Sequence, residues 1–517
     1  MGKIKILWTD DEIEILKPHI IFLREKGYEV ETCSNGNDTI DMVQDGSYDV
    51  IFLDEHMPGM SGIDTLRQIK QVNPSVPVVM ITKSEEEYIM EDAIGSEIAD
   101  YLIKPVKPKQ ILLSLKKLTD SKRLVSEKTT TDYQAEFGRI SMMMSGATSF
   151  KEWTNIYKKL VYWDIQLDRK GDSNLREIFS MQEQEANNAF SRFVSANYQS
   201  WMSTRESKPM MSPDLMKDKV FPLLQKDRPV FFILVDNMRY DQWKIISGEL
   251  SDMFSLDDES VYLSILPTAT QYSRNSIFSG LLPVDIQRLY PGLWVYDDED
   301  KGKNLNEELL LEKQMERMSL GIKWSYKKIA SNESGKKINE SLPDLVHNDL
   351  NVIVINMVDL ISHARTEIDI IRDLASDVPA YRTLTLSWFR HSPLFEMLKY
   401  LSETPASVVI STDHGTVRVN RPVKVVGDKN TSPNLRYKLG RNLDYPSSDV
   451  FELKDPPAAG LPKTNISSRF IFARNYDYLV YPQNYNHYAR YYKNTFQHGG
   501  ISMQEMMIPV AVLKGKG

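Results

Sequence analysis

At 517 residues the chain is too long for a single hydrophobic core, and with 41% hydrophobic and 26% charged residues it has the make-up of a soluble protein of several domains. A formal net charge of −8 argues against a broad electrostatic grip on duplex nucleic acid, and the lone cysteine, Cys33, rules out an internal disulfide. The opening MGKIKILWTDDE turns acidic before any long apolar run, and runs such as VFFILV are too short to cross a bilayer. The expectation is a cytoplasmic chain without signal peptide or membrane span.

In residues 1–118 the short apolar runs KIKILW, YEVETC, YDVIFLD, VPVVMIT and ADYLIK read as buried strands separated by helix-length segments, the rhythm of a parallel sheet covered on both faces. Charged and hydroxyl residues stand where strands end: Asp10 and Asp11 after the first, Asp54 after DVIFL, Thr82 after VVMI, and Lys104 in YLIKP. Strand ends of a doubly wound sheet converge on one crevice. Three carboxylates gathered there need a cation, and Mg²⁺, which keeps several waters, suits them. Such a site lets Asp54 attack a phosphoryl donor while Mg²⁺ and Lys104 offset the growing charge.

Residues 119–212 change texture. FKEWTNIYKKLVYWDIQL and LREIFSMQEQEANNAFSRFVSANYQSWM carry apolar residues three and four apart, the pattern of amphipathic helices in a small bundle or connector. ESKPMMSP reads as a hinge into the next unit. No basic helix-turn-helix follows the first domain, which argues against a DNA-reading output.

From residue 213 to 517 the β/α rhythm returns. PVFFILVD, NVIVINMVD and SVVISTDH each stop at an acid: Asp236, Asp359 and Asp413. His363 lies four residues after Asp359, His414 directly follows Asp413, and His498 sits in FQHGGIS. Thr270 follows the strand-like VYLSIL. Carboxylates and imidazoles suit zinc, and manganese tolerates them too. Taken singly, Asp236 reads equally as a helix cap and His363 as a structural histidine. Between His414 and His498, TVRVNRPVKVVGDKNTSPNLRYKLGR holds seven Lys or Arg and one Asp, and YPQNYNHYARYYKNTF interleaves tyrosines with Arg490 and Lys493. Basic groups meeting phosphates and rings stacking on bases point to a nucleotide or oligonucleotide substrate, with a solvated loop as the alternative.

Two family resemblances give these patterns roles. TDDE, FLDEHMPGMSG, ITKS and YLIKP resemble the receiver domain of two-component response regulators. That resemblance implies a (βα)5 fold, Asp54 as phosphoacceptor, Asp10 and Asp11 with Asp54 as Mg²⁺ ligands, and Thr82, Tyr101 and Lys104 as the switch. It implies a sensor histidine kinase as phosphate donor and a homodimer on phosphorylation.

The order D…T…D-x₃-H…DH…H, with VDNMR, LPTATQYSRNSIFSGLLP and QHGGISMQEMMIPV, resembles the PglZ-type branch of the alkaline phosphatase superfamily. This implies an α/β output domain with a mainly parallel sheet and two Zn²⁺ ions. Asp236, Thr270, Asp413 and His414 would surround one ion, and Asp359, His363 and His498 the other. Thr270, rather than Thr268, aligns with the superfamily nucleophile. Nucleotide-cleaving relatives carry asparagine three residues after it, where this chain has Ser273. Arg274, Asn275, Arg418 and Arg421 are the candidate substrate contacts. The whole arrangement resembles response regulators of type IX secretion and gliding systems, which implies a secretion-motor component and a sigma factor as candidate partners. The alternative is a PglZ module without catalysis that serves as a phosphorylation-switched docking protein.

Overall fold

The computed structural model describes residues 4–74, 76–82, 98–170, 173–204, 208–224, 228–296, 305–356, 375, 377–428, 431–463, 465 and 467–516. It divides into two compact units, Met1–Gln134 and Ala135–Gly517.

In the first unit, β1 (Lys5–Thr9), β2 (Glu29–Cys33), β3 (Val50–Asp54), β4 (Val78–Thr82) and β5 (Asp100–Ile103) form a parallel sheet in the order β2-β1-β3-β4-β5. Alternation of side chains splits the sheet into two cores. Leu7, Ile51, Leu53 and Met80 pack on Ile40 and Leu66 from helices Gly36–Asp45 and Gly62–Val72, while Trp8, Phe52 and Ile81 pack on Leu23 and Ile111 from the opposite face. The doubly wound sheet is as expected, with one difference of detail. YEVETC and ADYLIK are edge strands, each with a neighbour on one side only, and they are less buried than the central strands: Val30 and Cys33 are the buried residues of β2, and β5 is partly to fully open along its length.

Helix Pro108–Gly146 begins at the end of this unit, and helices Phe150–Lys170 and Ser173–Ser203 follow. The latter two pack on the α/β part of the second unit. Trp153, Tyr157, Phe190 and Tyr198 are buried, and Asn187 donates to Tyr476 Oη and Gln504 Oε1, both at 2.9 Å. Buried Arg382 joins Asp164 and Asp168 of helix Phe150–Lys170 to Asp241. The expected hinge is corrected in its described part: Met211 is 2% exposed and bridges Leu263, and Ser212 Oγ accepts from the Ile265 amide at 3.1 Å. The Met210 carbonyl also accepts from the Leu263 amide at 2.9 Å, so the stretch is a packed segment.

The main sheet of the second unit contains β6 (Val230–Val235), β7 (Phe254–Leu263), β8 (Trp324–Ile329), β9 (Leu350–Ile355) and β10 (Ser407–Ser411), with β18 (Met507–Gly515), in the order β7-β18-β10-β6-β9-β8. The central run β10-β6-β9-β8 is parallel, and β18 pairs antiparallel with β10 and β7. β6, β9 and β10 are buried throughout, as their unbroken apolar runs require.

Between β10 and β18 the chain builds small sheets: β11 (Val417–Arg418) with β17 (Phe496–Gln497), β12 (Arg421–Lys424) with β16 (Asp477–Val480), and β13 (Tyr437–Gly440), β15 (Arg469–Ala473) and β14 (Val450–Leu453) side by side. The basic stretch after His414 therefore contributes strands rather than one solvated loop. Arg436 is fully buried against Glu505, with Nε 3.0 Å and Nη2 2.6 Å from its carboxylate oxygens.

Candidate phosphorylation and metal sites

In the first unit, β1 and β3 end side by side and deliver Asp10 and Asp54, 0% and 1% exposed, to one crevice with exposed Asp11. One carboxylate oxygen from each of the three lies within 4.8 Å of the others, spacing that fits a shared divalent cation. Lys104 Nζ reaches Asp10 Oδ2 and Asp54 Oδ1, both at 2.8 Å. Burial pushes the Asp54 carboxyl above its ordinary range, with Asp10 adding to the push and Lys104 opposing it. Thr82 is buried at the end of β4, where its carbonyl accepts from the Lys104 amide at 2.7 Å, while Tyr101 on β5 is 49% exposed.

In the second unit, β6 and β10 are parallel neighbours whose ends carry Asp236 and Asp413–His414. Asp236 does not cap the next helix: that helix, Tyr240–Glu249, begins after Arg239. The turn in between uses Asn237 at φ +63°, so that its amide faces Asp413 Oδ1 at 3.4 Å and the Met238 amide donates to Thr412 Oγ1 at 3.1 Å. His414 Nε2 stands 3.9 Å from Asp236 Oδ1, 3.8 Å from Asp413 Oδ2 and 3.2 Å from Thr270 Oγ1. Ligands of a tetrahedral zinc at about 2.1 Å stand about 3.4 Å apart, so this donor set fits one ion.

The ring of His414 is fixed from behind. Nδ1 lies 3.1 Å from the Gly415 carbonyl, which can only accept, so Nδ1 carries the proton and Nε2 the lone pair. His498 is held the same way, with Nδ1 3.1 Å from the Thr268 carbonyl, and the two rings stack at 4.2 Å. Asp359 and His363 lie outside the described residues. Thr268 is fully buried, donating to the Gly500 carbonyl at 3.0 Å and accepting from the Gly499 amide at 2.9 Å; Thr270, at the start of helix Thr270–Ser279, is partly open.

The structure corrects the substrate-contact readings. Arg274 is fully buried, and its guanidinium joins Asp236, Asp413, Glu307 and Asn356. It braces the acids of the cluster. Burial works against charge on Arg274, but these carboxylates outweigh it and hold its pKa well above the usual arginine range. Asp413 is shifted the other way: burial would raise its carboxyl, but the Arg274 guanidinium and hydrogen bonds from backbone amides such as that of Asn237 overcome burial and hold it below the ordinary range.

Asn275 is 2% exposed, and Ser273 Oγ turns back to the Ala269 carbonyl at 3.0 Å. Arg421 is taken up by Asp477, at 2.7 and 2.5 Å, and by Asp449 at 3.4 Å. Arg418 opens into a cavity of about 280 Å³ lined by Asp164, Arg176, Glu183 and Tyr476, away from the acid–imidazole cluster. Residues the sequence did not flag hold the site together: Glu307, Arg436 and Glu505. Glu505 accepts from the Gly500 amide at 2.9 Å, and its own carbonyl accepts from the Gly415 amide at 3.1 Å.

Residues 215–513 match the model of the BREX system PglZ alkaline phosphatase-like domain, more than half of the chain. The chain belongs to the PglZ alkaline phosphatase-like family. Ahead of the PglZ domain, residues 6–116 match the response regulator receiver domain and 123–202 the PorX response regulator linker domain, so the order is that of PorX-like proteins. A response regulator receiver is thus joined to a PglZ phosphatase-like output. Receiver domains bind Mg²⁺ and take phosphate from a donor such as a histidine kinase, and alkaline-phosphatase-like domains depend on metals.

Individual relatives are similar over about a quarter of the chain. The transcriptional regulatory protein ZraR of Klebsiella oxytoca is 33% identical over 27% of this chain and 31% of its own length. ResD of Bacillus subtilis is 33% identical over 22% and 47%. The chain thus spans less than half the length of either relative. Among solved structures, the chemotaxis protein CheY4 of Vibrio cholerae is 30% identical, covering 23% of this chain and 99% of its own, with a TM-score of 0.21. Among the described residues no helix is long and apolar enough to cross a membrane.

Proposed function

We propose that this chain is a phosphorylation-controlled response regulator whose PglZ output is a di-zinc phosphodiesterase, with Thr270 as nucleophile and nucleotide or oligonucleotide phosphodiesters, linear or cyclic, as substrates. The observation that carries the reading is the 3.2 Å separation of Thr270 Oγ1 from His414 Nε2 within the acid–imidazole cluster. Because Nδ1 of His414 holds the ring proton, Nε2 accepts and the threonine hydroxyl donates. Asp236, Thr270, Asp413 and His414 would hold one ion; by family resemblance Asp359, His363 and His498 would hold the second.

Bound zinc supplies the Lewis acidity that makes a threonine hydroxyl nucleophilic and offsets phosphoryl charge. The residues of the chain do the rest. Thr270 opens helix Thr270–Ser279, whose partly positive N-terminal end favours an incoming phosphodiester. Arg274 fixes the two carboxylates in place. Tyr488 and Tyr491, 40% and 42% exposed on helix Tyr485–Tyr492, offer ring faces to bases.

In the receiver, Asp54 is the phosphoacceptor, with Asp10 and Asp11 completing its Mg²⁺ site and Thr82, Tyr101 and Lys104 sensing the phosphoryl group. Phosphorylation drives a homodimer in the cytoplasm, and the regulated process is type IX secretion. The decisive experiment incubates the zinc-loaded protein, and its Thr270→Val variant, with linear and cyclic oligonucleotides. Cleavage by the former alone, with two zinc ions per chain by metal analysis, is expected. Cleavage of an activated aryl phosphodiester without any oligonucleotide would sink the nucleotide assignment and leave the hydrolase standing.

A second reading has an observation in its favour. Arg274, Arg421 and Arg436 are all consumed by internal carboxylates, which leaves fewer cations for substrate phosphates. That pattern suits a docking module for a secretion-motor component or sigma factor. Partner binding retained by Thr270→Val together with no detectable hydrolysis by the parent protein would favour it.

A further inference from the structure

A second basic cavity, of about 330 Å³, lies where helix Ser173–Ser203 meets the small sheets of the output domain. From the helix come Ser191 and Arg192; from the strands and turns come Arg421, Asp449, Arg474 and Asp477. Three guanidiniums thus face two carboxylates, and both carboxylates are already committed to Arg421. The other two arginines have no carboxylate partner among the described residues. Arg474 is half-buried, its Nη1 donates to the Ser448 carbonyl at 3.3 Å, and its Nε has no hydrogen-bond partner among the described residues. Arg192 is exposed at the rim. Ser191 is 1% exposed, and its hydroxyl also lacks a hydrogen-bond partner among the described residues.

Half-burial of a guanidinium that no carboxylate contacts directly is costly, and burial draws the pKa of Arg474 below the usual arginine range even with Asp449 and Asp477 nearby. A buried hydroxyl without a partner adds to the cost. One ligand type relieves both: a tetrahedral oxyanion, which takes guanidinium N–H groups in pairs and a hydroxyl donor together. We propose that this cavity is a binding site for a phosphate-class oxyanion, held by Arg474, Arg192 and the Ser191 hydroxyl, and separate from the acid–imidazole cluster. It has a route to that cluster. The Arg474 carbonyl accepts from Arg436 Nη1 at 3.4 Å, and Arg436 grips Glu505, which in turn holds the Gly500 amide two residues from His498. The Asn475 amide also donates to the Ile501 carbonyl at 2.8 Å.

The test is titration calorimetry on the full chain stripped of metal by a chelator, with inorganic pyrophosphate, inorganic phosphate, sulfate and acetate as separate probes. Pyrophosphate and phosphate should bind saturably, one per chain, and more weakly as salt rises. Arg474→Gln should weaken binding at least tenfold, and Ser191→Ala about threefold. Arg192→Gln, an exposed change that spares folding, should weaken it about fivefold. Asp236→Asn, in the metal cluster, should leave it unchanged; a loss there would place the anion at the cluster and overturn the proposal. So would the absence of saturable binding, equal binding of acetate, or binding indifferent to both arginine changes. None of these outcomes depends on whether the protein hydrolyses a phosphodiester.

Discussion

Arg274 holds Asp413 through two nitrogens at once: Nε and Nη2 each lie 3.0 Å from the same oxygen, Oδ2. Nη2 also pairs with Asp236, so one planar group sets the spacing of two carboxylates. A buried charge stripped of its partner costs about 3–5 kcal/mol. Arg274→Gln should therefore lower unfolding stability by about that amount, measured in urea, and added zinc should restore part of it. Arg274→Lys should not rescue, because a single ammonium cannot span both acids with the geometry of a fork.

Thr268 and Thr270 separate structure from chemistry. Thr268→Val removes two buried hydrogen bonds to Gly499 and Gly500 and should cost about 2–4 kcal/mol by the usual penalty for unmade buried bonds. Thr270→Val, at a partly open position, should leave the unfolding midpoint nearly unchanged while abolishing phosphodiester cleavage. Equal activity of Thr270→Val and the parent protein would remove Thr270 as nucleophile.

The proposed role of Asp54 as phosphoacceptor makes the receiver testable at one residue. Beryllofluoride with Mg²⁺ should shift the parent protein toward a dimer in sedimentation velocity. Asp54→Asn, which lacks the acceptor oxygen, should stay unshifted. A tenfold change in the dimer constant, about 1.4 kcal/mol, would be within the range of ordinary allosteric coupling. An unshifted parent protein would discard phosphorylation-driven dimerisation.

Lys438 gives a pH test of stability. It is 1% exposed, and burial pulls its pKa down to about 7 from 10.5, despite the Pro433 carbonyl at 3.2 Å and the Tyr481 ring face at 4.2 Å. Between those two values the unfolded chain holds a proton that the folded chain does not, so stability rises with pH through that window. Lys438→Met should flatten the rise in urea midpoints between pH 7 and 10. An unchanged slope would mean that the ammonium stays charged in the folded state.

Where sequence reading succeeded, strand chemistry explains why. Asp10, Asp54, Asp236 and Asp413 each follow an apolar β-branched run, and parallel pairing of those runs brings β1 beside β3 and β6 beside β10. The lattice of supporting contacts was not legible. Arg274 is one of many arginines by composition, and its partners are scattered over Asp236, Glu307, Asn356 and Asp413. Arg436 and Glu505 pair across 69 positions, so no local pattern marks them. Arg421 looked open because its acid, Asp477, is supplied by a strand formed much later in the chain.

Gly415, next to His414, owes its place to a close approach: a Cβ there would stand 2.1 Å from the Gln504 carbonyl oxygen, so only a bare backbone allows it.

That approach places Gly415 against Glu505, whose backbone receives the Gly415 amide and whose side chain receives the Gly500 amide. One residue therefore anchors the two loops that carry His414 and His498. The distance between the imidazoles is not the sum of two independent loop positions with independent errors. It is a single dimension set by the short turn of helix, Met503–Met506, that leads into the last strand.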